Sequence, residues 1–192
     1  MAGKFKNIAL DYVTLGLTVL ALILQGVAFG DGPWWIHDGK VGRSYFSMTG
    51  LQTCQFSCVS KTVLVIEGGL EWILSVRVSE VFGLVFILLA LVMAVLAITI
   101  RTRPIHTAVV YLHGAAALFI LLGLLIFLGC QKQLNADLEG SGSIQYPFVI
   151  GFLACAVCAI TSVVAGVALR RHLLTFTDDD DDGEFGDIAV IE

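Results

Sequence analysis

Charge is scarce in this chain. Asp, Glu, Lys and Arg make up 14% of its 192 residues. Also missing are a Gly-rich phosphate loop, a His-Glu-x-x-His pair, a Gly-x-Ser-x-Gly elbow and paired carboxylates inside the apolar runs. Nucleotide hydrolysis, zinc-dependent hydrolysis and serine-nucleophile chemistry therefore lack the residues they need. Neither Asn7 nor Asn135 opens an Asn-x-Ser/Thr acceptor site. Without deep charges and broken helices, a small-solute transporter is disfavoured. The expectation is a non-enzymatic chain with no cofactor, no metal and no nucleic-acid partner.

What is present is apolar length. Hydrophobic residues make up 57% of the chain, and four runs span residues 8–29, 81–100, 105–130 and 147–169. Each approaches or exceeds the roughly 20 residues that carry a helix across a bilayer. The first run starts near Lys4 and Lys6 and ends at Ala28-Phe29-Gly30, features a signal peptide shares. It is longer than a signal core, so a retained helix is expected. The remaining segments are a short N-terminus (1–7), a long loop (30–80), a four-residue link (101–104), a second loop (131–146) and a tail (170–192). The short link makes spans two and three an antiparallel hairpin.

Basic residues set the expected orientation. Lys4, Lys6, Arg101, Arg103, Arg170 and Arg171 flank the spans on one side, which would be the cytoplasm. Both termini then lie inside and both longer loops outside. Eight of the 16 acidic residues sit in Asp178–Glu192, so the remaining chain carries 11 basic against eight acidic residues, or +3. The net charge of −5 thus belongs to the tail.

The long loop holds Pro33-Trp34-Trp35, Gly50-Leu51, Cys54, Cys58 and a β-favouring run, Thr62–Ile66. Glu67-Gly68-Gly69 is a turn signal before a second amphipathic run, Leu70–Val78. These segments suit a small antiparallel sheet, which needs a tether to be stable. Trp34 and Trp35 suit either the headgroup interface or packing on that sheet. Trp72 suits either the loop's own packing or lipid level. Arg77, four residues before span two, can snorkel to headgroups. No set of ligands at zinc spacing accompanies the cysteines.

Taken together, Trp34-Trp35 after the first span, Gly50-Leu51 before Cys54, a second Cys58, Arg77 before span two, and loops ordered long, very short, medium resemble the claudin-like superfamily. That group includes claudins, epithelial and peripheral-myelin membrane proteins and calcium-channel gamma subunits. The resemblance covers about residues 8–170. The chain departs from the pattern at Gln52, where a second Trp is expected, and in the short spacing of its cysteines. The resemblance implies that Arg77 fixes the sheet to the helix tops, and it implies a Cys54–Cys58 disulfide, worth roughly 2 kcal/mol for so small a ring. The residues alone leave free thiols, or a pairing with Cys130, open.

Inside the spans, small residues recur every fourth position at Ala154, Cys158, Ser162 and Gly166, with a parallel stripe at Gly151, Cys155 and Ala159. Such spacing lets membrane helices approach closely. Gly26 and Gly30 repeat the signal in span one, with packing inside the bundle expected. Asp11 and Gln25 lie near span ends, where solvation is expected. His113 is deeper and is expected to hydrogen-bond between helices. The tail's five carboxylates, Asp178–Asp182, should repel one another and keep it extended. Thr175 and Thr177, each three residues before an Asp, form a weak acid-directed phosphorylation pattern, and the tail can hold a cytoplasmic partner motif.

The fold expected is an antiparallel four-helix membrane bundle with a small extracellular β-sheet made mainly from the first loop. The function implied by the resemblance is organisation of cell–cell contacts or junctions at the plasma membrane. Partners would be the lipid bilayer and an oligomer of itself or of related four-span proteins. The alternative is an auxiliary, gamma-like subunit of an ion channel or receptor.

Overall fold

A computed structural model describes residues 2–30, 32–39, 42–48, 50–54, 58–62, 71–100, 102–137 and 140–181. Its elements run α1 (Ala2–Gly30), β1 (Trp35–Gly39), β2 (Gly42–Phe46), β3 (Gly50–Cys54), β4 (Cys58–Thr62), α2 (Glu71–Ile100), α3 (Arg103–Asp137), β5 (Gly140–Ile144) and α4 (Tyr146–Asp181). All four helices are long and apolar enough to cross a membrane. The chain is on this ground a multi-pass membrane protein. Pro104 and Pro147 stand in the first turns of α3 and α4, where a missing N–H breaks no helical bond. Gly32, at φ 85°, makes the bend from α1 towards β1, a conformation open to glycine.

Several boundaries differ from the sequence expectation. α2 begins at Glu71, so Trp72, Arg77 and Glu80 lie on a helix instead of in the loop, and 71–78 is no strand. α3 continues to Asp137 and α4 to Asp181, so the first part of the acidic run is helical and not extended. Residues 182–192 and most of the expected run Thr62–Ile66 lie outside the described residues.

The helices meet with a 3-4 rhythm. Buried positions run 11, 14, 18, 21, 25, 28 on α1 and 73, 76, 80, 83, 87, 90, 94, 97 on α2. On α3 they run 106, 109, 113, 116, 120, 123/124, 127, and on α4 151, 154, 158, 161, 165, 168. An average step of 3.5 is the rhythm of left-handed bundles whose helices cross near 20°. The bundle is closed as a ring, since α1 packs on α2 and α4, and α3 on α2 and α4.

The sheet has five antiparallel strands in the order β4-β3-β2-β1-β5. β5 comes from the second loop and pairs along β1 from Trp35↔Ile144 to Gly39↔Gly140. The sheet thus joins both loops, with four of its five strands from the first, in line with a sheet made mainly from that loop. Alternation gives it two faces. Trp35, His37, Ser44 and Phe46 are buried, whereas Ile36, Asp38, Arg43 and Tyr45 are partly or fully exposed.

Candidate functional site: the sheet–bundle joint and the polar interior

Trp34 is where the sheet meets the helices. Its indole N–H donates to the Ala28 carbonyl at 2.7 Å, in the last turn of α1. Its backbone N–H donates to Phe46 O at 2.7 Å, and its carbonyl accepts from Gln145 N at 2.9 Å, continuing the ladder on both sides. The ring meets Phe127 and Phe148 edge-on at 5.6 and 5.7 Å. Phe127 of α3 also lies 5.7 Å from Phe46 of β2, 6.1 Å from Trp72 of α2 and 5.4 Å from Phe148 of α4. Aromatics from α2, α4, β2 and the link between α1 and β1 therefore converge on Phe127. Edge-on and offset pairs add to the burial of their rings. Trp34 and Trp35 are both buried within the protein, as packing on the sheet requires.

Trp35 lies on the other side of this joint. It stacks on His37 at 5.0 Å and covers Gly142 of β5, where a Cβ would collide with the indole. Gly50 and Leu51 lie on β3, with Leu51 opposite Phe46 in register. Cys54 and Cys58 are cross-strand partners of β3 and β4. Free thiols among the described residues are Cys130, Cys155 and Cys158. Arg77 is half-buried on α2, and its Nε and Nη2 have no hydrogen-bond partner.

Below the joint, the bundle interior is polar. Gln25 Nε2 donates to Glu80 Oε2 at 2.6 Å, and both residues are fully buried. His113 Nδ1 lies 2.9 Å from the Val109 carbonyl, to which it donates. Its Nε2 lies 2.9 Å from the Thr18 hydroxyl, which also lies 2.7 Å from the Thr14 carbonyl. Asp11 Oδ1 and His106 Nδ1 approach to 3.8 Å, both buried. Sequence reasoning placed Asp11 and Gln25 in water. They are buried because they stand in phase with Thr14, Thr18, Ala21 and Ala28 on the inner face of α1. The interhelical bond expected of His113 is present.

Glu80, His106 and Thr18 were not singled out from sequence. The missing signal was phase: Glu80 sits seven residues from Ile73 and from Ile87. With α2 begun ten residues too late, that repeat was cut.

On α4, Ala154 and Cys158 are fully buried. Ser162 Oγ donates to Val110 O at 3.0 Å, and Cys155 Sγ to Ala117 O at 3.3 Å. These two rungs, seven residues apart on each helix, tie α4 to α3. Gly166 would meet nothing within 4 Å if given a Cβ. Four residues overshoot a turn by about 40°, so a strict four-residue stripe rotates off the seam. Thr161, Ala165 and Ala168 continue it instead. Gly26 and Gly30 also face open space, so the intramolecular packing expected of them does not occur. Thr175 and Thr177 lie on α4, but their side chains are outside the described residues.

No protein-family model matches the chain, and no curated protein matches it.

Proposed function

We propose that this chain is a claudin-like plasma-membrane protein that organises cell–cell contacts through its sheet, with no catalytic activity. The observation that carries this reading is the fixed sheet. Strands from both loops form one unit, and Trp34 and Phe127 seat it on the bundle. Its outer face, with Asp38, Arg43 and Gln52, stays open to a partner. The termini and the 101–104 link face the cytoplasm in this reading, following the basic residues. A Cys54–Cys58 disulfide belongs to it as well, supported by their direct cross-strand register and by the oxidising compartment.

The test is expression in non-adherent cells. Enrichment at borders between two expressing cells, relative to borders with a non-expressing cell, is expected. Breaking the Cys54–Cys58 pair should remove it, while removing residues 178–192 should not. Equal signal at both kinds of border would reject trans contact.

A second reading, an auxiliary subunit of a channel or receptor, is favoured by α1. Its outer face carries Gly16, Gly26 and Gly30 with nothing packed against them, a surface a neighbouring helix can approach. Stable co-purification of one channel without border enrichment would select it.

A further inference from the structure

Glu80 is out of reach of solvent, and its two carboxyl oxygens are treated differently. Oε2 accepts from Gln25 Nε2 at 2.6 Å. Among the described residues Oε1 has no donor, and neither does the side-chain oxygen of the same Gln25. Each orphaned buried acceptor is destabilising, because it has given up its hydrogen bond to water. Both belong to one interacting pair, and one hydrogen placed between them satisfies both. A carboxyl proton on Oε1, donated to Gln25 Oε1, would close the pair into a cyclic acid–amide dimer with two hydrogen bonds.

The carboxyl is packed closely against α3. α3 presents Gly123 here, and a Cβ on it would come within 2.6 Å of Oε1. The carboxyl therefore lies against bare backbone. Ionisable neighbours are few. Among the described residues, the groups set against the carboxyl are the neutral Gln25 of α1, the backbone at Gly123 of α3 and the thiol of Cys155 of α4, whose hydrogen goes to Ala117 O. Arg77 stands one turn away on α2, but neither Nε nor Nη2 reaches Glu80. Among the described residues no cation forms an ion pair with the carboxyl. An unpaired carboxylate in such a place is strongly penalised.

We propose that Glu80 is an intramembrane proton-binding site, held as the neutral acid by Gln25 and seated against Gly123. Removal of the proton puts two acceptors and a charge in the α1–α2 contact, so proton occupancy governs how firmly α1 is seated.

The test uses the full chain in lipid nanodiscs. Infrared spectra should contain a protonated-carboxyl carbonyl band that Glu80→Gln removes. A hydrophobic carbodiimide, which adds to protonated carboxyls in apolar surroundings, should label Glu80 in peptide maps. Glu80→Gln, which mimics the neutral acid, should unfold at the wild-type temperature, while Glu80→Lys should not fold. If the band survives Glu80→Gln and Glu80 stays unlabelled, the proposal is overturned. Marked loss of stability in Glu80→Gln would overturn it too, since it would show that the charge is needed. All three readouts are independent of cell contact, so their failure leaves the adhesion reading untouched.

Discussion

Near the sheet the core is built of large rings, whereas near the α2–α3 hairpin the helices meet on alanines. The first region centres on Trp34, Phe46, Trp72, Phe127 and Phe148. The second is Ala94, Ala97, Val109 and Ala165. Between them lies a polar belt with Thr18, His113 and Thr161, all fully buried. At the hairpin end, Asp11 and His106 border a cavity of about 10 Å³ with Ala97 and Ala168, the size of one water molecule. Close approach of small residues makes contact where no hydrophobic drive exists between helices in lipid. Large rings make contact by size, at the one place where a sheet must be fixed to four helices. The two ends should therefore fail in different ways: the ring end when side chains are removed, the small end when they are added.

The sharpest way to break this contrast is Phe127→Ala. The ring touches four other aromatics, so about 3–5 kcal/mol should be lost, with the sheet no longer seated. Thermal unfolding in detergent, followed by tryptophan emission, measures it. Val109→Ala at the other end should cost clearly less. Equal losses would mean the rings are not the fastening.

Part of this contrast was legible in the sequence. The four spans follow from apolar length, and the hairpin from the four-residue link. The joint was not, because Phe46, Phe127 and Phe148 look like ordinary apolar residues until α3, α4 and β2 bring them together. The polar interior was missed for another reason. Rules of hydropathy place Asp11, Gln25 and Glu80 at span ends and assign them to water, and only the seven-residue phase shows that they face inward. Small residues were legible as packing residues at Ala154 and Cys158, but a fixed step of four carries Gly166 away from the seam.

Added side chains sharpen the contrast at glycines. A Cβ on Gly83 would sit 2.5 Å from Ile120 Cγ1. Gly83→Leu should overpack the α2–α3 contact at about 1–3 kcal/mol. Gly166→Ala meets open space and should fall within about 0.5 kcal/mol of wild type. The yield of monodisperse protein from both variants distinguishes them. Ser162→Ala lies between these two: it removes one hydrogen bond to Val110 O, worth about 0.6–1 kcal/mol in a membrane protein.

The smallest effect belongs to the sheet's outer face. Arg43 and Asp38 are cross-strand partners, and Arg43 donates to both Asp38 oxygens. That hydrogen bond raises the guanidinium's affinity for its proton above the ordinary value. Both side chains are more than half exposed, at 56% and 60%. Water and salt screen such a pair, and holding two long side chains still offsets much of the attraction. Arg43→Ala should therefore leave the unfolding temperature nearly unchanged, in low salt as in high. If this face contacts a partner across cells, the same substitution should reduce border enrichment while stability holds. A large stability loss instead would show that the outer face helps hold the sheet, and the division between a fastened inner face and a free outer one would fail.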